Sequence, residues 1–478
     1  MIAVIPFVIA LYDVAFISNS WRGLLRHWKF YSMVCVPVAM IVAWTLFRGT
    51  LTEEKGSVGL GVGLFTPKTY ALTQTQVILY YLQLSVWPDA LCLDYLDWRP
   101  VKNISDSWLS VGAIAGLVLV MICGVLYRTW WGFLLAAFAL ILAPTSTIIP
   151  VQDVAFEHRM YLPLAAMIVF IAVLIDAGLV RLRHTNHKIG RWATRGVVAT
   201  TLVVAILLGI RTLLRNEDYA TTIRMYSDIV QKRPNNPRGH YSLAVALHGT
   251  GQTDAAAVEA KLAAELVTDD PLYTAMHGWS LLETDRPAEA LPILLKAYQQ
   301  GSKIAKLPLD IGTAYLVLGK PQEAVPYLVE GRNAEPNLTV YHIWLGIAYQ
   351  QLKRDAEADA EFNAALAIDP TQATQLDRSI RYAAQQRDPS PTLRKMTLFF
   401  AQAAVRLSGE KAGAYDTLAI SLATSGQFDQ AVLAERTAVT KARAIGAEYL
   451  AQRYEARLGL FQKRLRYLPE NIDTPTVR

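Results

Sequence analysis

The chain has 478 residues, is 53% hydrophobic and carries a formal net charge of +6. The charge is uneven: residues up to Arg215 hold 17 Lys+Arg against 10 Asp+Glu, and the remainder hold 29 against 30. The positive excess therefore lies beside apolar runs, where it orients a membrane protein, and does not mark a nucleic-acid partner. Three cysteines cannot build a disulfide framework, and sparse histidines without a C-x-x-C pair exclude a zinc module.

In chain order, Met1–Phe16 is apolar from its first residue and has no basic segment before it. With Tyr12 and Asp13 inside and no small-residue cleavage site, it reads as the end of a membrane helix, not a secretory leader. Further apolar runs at Tyr31–Phe47, Trp108–Tyr127, Trp130–Pro144, Tyr161–Val180 and Gly196–Leu214 bring the expected crossings to about six. Tyr70–Trp87 is apolar but interrupted by Thr73, Gln74, Thr75, Gln76 and Gln83, so an interfacial or re-entrant helix is expected. The basic loops Trp21–Lys29 and Arg181–Arg195, together with Arg128, are cytoplasmic by the positive-inside rule. Arg48–Ser107, Thr145–Met160 and everything after Leu214 then lie outside the cytoplasm.

The second half repeats itself. Ala244, Gly278, Gly312 and Gly346 follow one another at 34 residues, as do Leu247, Leu281, Tyr315 and Tyr349. Ala256, Ala290, Ala324 and Ala358 form a third ladder, and Pro336 and Pro370 share the period. A period of 34 predicts paired helices. Small residues sit where two helices approach closely, and proline ends the second helix. Leu345-Gly346, Tyr349, Ala358, Phe362, Ala365 and Pro370 are similar in type and spacing to the tetratricopeptide repeat (TPR).

The expected architecture is all-α: a polytopic transmembrane helix bundle over 1–215, then a TPR α-solenoid over 216–468 and a disordered tail over 469–478. Within the solenoid, Asn216–Arg233 is a half-repeat and four repeats run to Pro370. Thr371–Lys411 is a divergent hairpin, one more unit follows, and Glu448–Arg466 is a capping helix. Ligand binding in such an array is expected on the concave face of the first helices, at His240, Tyr241, Thr274, Tyr341 and His342, with a protein or peptide as partner.

Chemistry concentrates in Pro150–Pro163. Arg159 is suited to grip a phosphate with its planar fork. Asp153 or Glu157 is suited to orient it or move a proton, and His158 to either task. The competing reading is an interfacial Arg–Glu pair that pins the loop, with Tyr161 in an aromatic belt. Asp94 and Asp97 flank Tyr95 and read as solvated loop acids or, less simply, as metal holders; no metal site is expected. The Gly-rich stretch Gly56–Gly63 lacks the context of a phosphate cradle. Asp13, an acid inside an apolar run, is either functional or paired with Arg22 or Arg26. Asp176 is read as a snorkelling partner of Arg181.

Several blocks in order carry a wider resemblance: Tyr12-Asp13, Thr66-Pro67, Tyr70–Gln74, Tyr81-Leu82, Trp87-Pro88, Leu93-Asp94-Tyr95, Ala143–Ser146 with Ile149-Pro150, and Glu157–Pro163. Together with the repeats they resemble the C-terminal part of the transmembrane-and-TPR protein O-mannosyltransferases and their bacterial relatives. The resemblance implies a GT-C type glycosyltransferase in a bacterial inner membrane, with its TPR domain on the extracytoplasmic side. It implies a polyprenyl-phosphate sugar as donor, and a donor-facing role for Asp153, Glu157, His158, Arg159 and Tyr161. No residue matches the family's acidic motif of the first external loop, so no catalytic residue is carried over. The chain alone is expected to lack transferase activity. A membrane-anchored TPR scaffold without catalysis is the alternative; a transporter is weaker, because the spans show no inverted repeat.

Overall fold

A computed structural model describes residues 4–18, 20–51, 65–88, 91–147, 150–151, 153–302, 304–384, 386 and 389–468. The Gly56–Gly63 stretch and the 469–478 tail lie outside the described residues. Among the described residues the structure is helical throughout, and it divides into two units, one ending at Gly239 and one beginning at His240.

The first unit starts with α1 (Ile5–Tyr12), which runs into a π turn over Asp13–Ile17. Next come α2 (Trp21–Arg26) and α3 (Trp28–Leu51), which covers the second expected span. α4 (Pro67–Val86) begins with a reciprocal cap, the Thr66 and Thr69 hydroxyls each accepting the other's backbone N–H. Its buried face carries Tyr70, Thr73, Gln74, Val77 and Tyr81. Two of the polar residues that break its apolar run are used inward: Gln74 donates to the Val154 carbonyl, and the Thr73 hydroxyl accepts from the Val101 N–H.

α5 (Trp108–Leu126) and α6 (Trp130–Leu142) form a hairpin in which Arg128 takes φ 56°. The helices meet at Gly124 and Gly132, where a Cβ on Gly132 would stand 2.2 Å from the Gly124 backbone. α7 (Tyr161–Thr185) and α8 (His187–Asp218) form a second hairpin, with the Asn186 side chain capping α8. α9 (Thr222–Lys232) completes the unit. At the α8–α9 elbow, Arg215 pairs with Asp218 at 2.9 Å and Asp228 at 2.5 Å.

Among the described residues, three helices are long and apolar enough to cross a membrane: Ile104–Leu126, Glu157–Thr185 and His187–Asp218. Their apolar side chains face outward, as with Leu202 at 60% and Ile206 at 62% exposure, which suits hydrocarbon and not water. The expected total of about six is not reached by this measure. The 13 residues of α6 extend about 20 Å, short of a hydrocarbon core of about 30 Å.

The second unit stacks helix pairs. α10 (Pro237–Gly249) pairs with α11 (Thr253–Leu266), α12 (Pro271–Glu283) with α13 (Pro287–Gln299), α14 (Leu307–Val317) with α15 (Pro321–Ala334), and α16 (Thr339–Gln351) with α17 (Asp355–Ile368). The glycine ladder has a direct cause. A Cβ on Gly278, Gly312 or Gly346 would stand 2.7, 2.5 or 2.4 Å from Leu294, Leu328 or Phe362 of the paired helix. Ala256, Ala290, Ala324 and Ala358 are buried at the same seams. Each turn within a pair passes through positive φ at the same repeat position: Gly251 (78°), Asp285 (62°), Gly319 (76°) and Lys353 (59°).

The array then changes geometry. α18 (Gln372–Ala384) packs mainly against the long α19 (Pro391–Leu407), which also touches α14, α16 and α17. Phe399, Ala403 and Leu407 join the core of Trp344 and Ile347, and the Phe400 and Trp344 rings lie 4.9 Å apart. The Thr392 N–H donates to Asp285 at 2.6 Å, and Lys395 donates to the Val317 carbonyl. α20 (Ala412–Thr424), α21 (Phe428–Ala444) and α22 (Glu448–Gln462) close the unit. Asp416 is buried between Arg381 and Arg457.

Candidate functional site

The Pro150–Pro163 segment folds against α4 in the first unit. Extended backbone at Phe156 leads into one 3-10 turn, Glu157–Met160, which feeds α7. The turn sends its side chains in different directions, so the five expected site residues do not converge on one point.

Arg159 points inward and is 8% exposed. It donates to the Val154 carbonyl at 3.2 Å and the Asp153 carbonyl at 2.7 Å. Phe156 lies 5.4 Å from its guanidinium carbon, and Tyr70 and Tyr81 interact with it electrostatically. It forms no ion pair among the described residues. The expected Arg–Glu pair is therefore absent there: Glu157 turns away and accepts from the Tyr95 hydroxyl at 2.6 Å and the Cys92 N–H at 2.5 Å. Burial, and then the Glu157 carboxylate beside it, push the Tyr95 phenol up from its ordinary pKa, so it stays a donor. Burial likewise pushes the Cys92 thiol up, which keeps it unreactive. His158 is exposed and its ring stands 5.0 Å from that of Phe156. Tyr161 is 78% exposed at the start of α7, away from Arg159's buried setting.

Asp153 is held by a residue that the sequence reading passed over. Arg238 donates to Asp153 Oδ1 at 2.6 Å, and through two nitrogens to Asp94 at 2.5 and 2.8 Å. Arg233 pairs with Asp97 at 3.1 Å inside a box of Tyr80, Tyr95 and Trp98, with its guanidinium carbon 5.9, 4.4 and 5.4 Å from the ring centres. Asp94 and Asp97 are thus neither solvated nor poised for a metal; each neutralises an arginine of the Arg233–Arg238 linker. The two arginines flanking Pro234–Pro237 were the available signal. Asp13, expected beside Arg22 or Arg26, accepts from the Tyr31 hydroxyl at 2.6 Å.

An apolar cavity of about 530 Å³ lies between α4, α5, α6 and α7, walled by Ile78, Leu82, Met121, Phe138 and Phe170. Ser146 and Thr147 line it too, and the Ser146 hydroxyl is buried without a hydrogen-bond partner among the described residues. The neighbouring Thr145 carbonyl accepts from Tyr70 at 2.7 Å, which links the cavity wall to the surroundings of Arg159.

In the second unit, four positions expected to face a ligand are core. The His240 ring meets Glu259 at 2.6 Å, and His342 lies between Glu361 at 2.6 Å and the Pro336 carbonyl at 3.1 Å. Tyr341 donates to Ala305, and Thr274 to Asp270. Of the five, Tyr241 alone is half-exposed, edge-on to Tyr273 at 5.8 Å.

Two family models described as tetratricopeptide repeat match residues 209–339 and 309–373. A protein O-mannosyl-transferase of Caenorhabditis elegans is 25% identical over 232 residues, which is 47% of this chain and 32% of that protein. The chain therefore spans about a third of that relative's length. Solved structures similar to the array include YrrB, described as a TPR protein with an unusual peptide-binding site (18% identity, TM-score 0.30, covering 40% of this chain and 95% of that one). MamA is 21% identical at TM-score 0.30 (32% and 89%), and Pseudomonas aeruginosa pilF is 16% identical at TM-score 0.30 (46% and 97%). The stretch from 209 to 373 is built of tetratricopeptide repeats.

Proposed function

We propose that this chain is part of a membrane glycosyltransferase of the GT-C type, in a bacterial inner membrane with its repeats on the extracytoplasmic side. It takes a sugar from a polyprenyl-phosphate donor and gives it to a protein or glycan acceptor that the repeats recruit. The observation that carries this reading is Arg159, a buried cation with no ion partner among the described residues. Two carbonyls, the Phe156 ring and the neutral phenols of Tyr70 and Tyr81 supply no counter-charge, and a phosphate matches its fork. The nearby apolar cavity suits the hydrocarbon chain of such a donor. The worm relative, named as an O-mannosyl-transferase, supports the same reading over part of its length.

The test is donor binding. Polyprenyl phosphate added to the detergent-solubilised chain should raise its melting temperature, and Arg159→Ala should abolish that shift. Arg159→Lys, which keeps charge but loses the fork, should retain a reduced shift. An unchanged shift in Arg159→Ala overturns the reading.

A membrane-anchored TPR scaffold is the second reading. It is favoured by the two loop carbonyls that Arg159 ties down, the work of a structural pin. On that reading Arg159→Ala lowers stability with or without polyprenyl phosphate.

A further inference from the structure

The α7–α8 turn carries charges that the proposed reaction does not use. Arg181, Arg183, Lys188, Arg191 and Arg195 fall within fifteen residues, and all five are exposed. None forms an ion pair among the described residues; Asp176 does not reach Arg181. Arg183 is spent within the turn, donating to the Thr194 hydroxyl at 2.9 and 3.3 Å. Gly190 packs so closely that a Cβ there would lie 2.7 Å from the Arg183 Cα. The turn is therefore a fixed platform. On it Lys188, Arg191 and Arg195 follow the 3–4 spacing of one helical face. Trp192 is 71% exposed beside that face, with the Arg195 guanidinium carbon 5.4 Å from its ring centre.

The platform joins two helices that are each long and apolar enough to cross a membrane. Its cations consequently stand at the edge of the hydrocarbon, within a screening length of about 8–10 Å of the headgroups. An exposed tryptophan at that level is the usual interfacial anchor. We propose that the face of Lys188, Arg191 and Arg195 is a binding surface for anionic phospholipid headgroups, with Trp192 seated among them. The ligand class is a phosphodiester of the bilayer's own leaflet. This does not depend on glycosyl transfer.

The test uses the full chain in bilayers of mixed phosphatidylglycerol and phosphatidylcholine. Lipid retained through purification is counted by native mass spectrometry. Phosphatidylglycerol should be enriched on the protein, and Lys188→Gln/Arg191→Gln/Arg195→Gln should cut that enrichment about tenfold or more. The charge-keeping variant Lys188→Arg/Arg191→Lys/Arg195→Lys should keep it, as should Arg22→Gln/Arg26→Gln/Lys29→Gln. Unchanged enrichment in the first variant overturns the proposal. So does displacement of the lipid by inorganic phosphate, which would mark a site for free anions. Should the first variant misfold, loss of enrichment in the charge-keeping variant overturns it as well.

Discussion

Arg238 grips Asp94 through two nitrogens, at 2.5 and 2.8 Å, across 144 residues of sequence. The same guanidinium reaches Asp153 at 2.6 Å, so one cation answers two carboxylates. Removing it leaves a buried acid, Asp94, and a half-buried one, Asp153, without their shared cation. Arg238→Ala should cost about 1–3 kcal/mol, between the values for exposed and buried pairs, because its side chain is 32% exposed. Arg238→Lys should recover only part, since a point charge cannot serve three oxygens at once. Thermal unfolding in detergent reads both. A cycle with Asp94→Asn should show coupling, and strict additivity would mean that the contact contributes nothing.

The repeat glycines divide by physical cause. Gly346→Ala puts a methyl 2.4 Å from the Phe362 ring, and Phe362 is buried and cannot yield. A loss of about 1–3 kcal/mol is expected from overpacking. Gly319→Ala meets no neighbour but must hold φ 76°, a cost of about 1–2 kcal/mol. Gly459, inside α22, has open space and ordinary φ, so Gly459→Ala should stabilise by up to about 1 kcal/mol. Melting temperatures of the three variants in the full chain should rise in that order.

Glu435 lies wholly buried with both carboxyl oxygens lacking a hydrogen-bond partner among the described residues. Burial, and then the Asp416 carboxylate, push its pKa from 4.5 up to about 10, so the folded protein holds it neutral. The unfolded chain ionises it near its ordinary value. Between pH 4.5 and about 10 the folded state therefore binds the extra proton, and this group's contribution falls as pH rises. Glu435→Gln keeps the shape and removes the titration. Its stability should exceed that of the parent at pH 8 and approach it near pH 4.5. A constant difference across this range would show that Glu435 is ionised in the fold.

How far these features could be read from sequence follows from how local their causes are. Gly278, Gly312 and Gly346 announce themselves because each meets its obstacle 16 residues later, inside one repeat. The positive-φ turns are half legible: Gly251 and Gly319 are glycines, whereas Asp285 and Lys353 adopt the same φ without one. Arg238 has no local signature, since its partners lie 85 and 144 residues away. Arg159 was legible as a distinctive residue but not in its setting, because which of four successive side chains enters the protein depends on one 3-10 turn. The 34-residue ladder also implied open first-helix faces, and it could not show that a later helix would cover some of them.

That helix supplies the last test. α19 buries residues on two sides: Phe399, Ala403 and Leu407 against α16, and Ala401 and Ala404 against α18. Ile343 and Ile347, on the first helix of the fourth repeat, are 3% and 1% exposed under it. A helix held on both sides cannot leave without unfolding its neighbours, so no peptide should occupy this part of the array. Phe400→Ala should then act as a core truncation and cost about 3 kcal/mol, somewhat less than usual because the ring is only partly buried. Trp344→Ala should cost about 3–5 kcal/mol. The double variant should lose less than the sum, by the roughly 0.5–1.5 kcal/mol of an aromatic pair. Thermal unfolding of the four proteins gives the coupling directly. If Phe400→Ala left stability unchanged and opened a peptide site beside Trp344, α19 would be a displaceable cover and not part of the core.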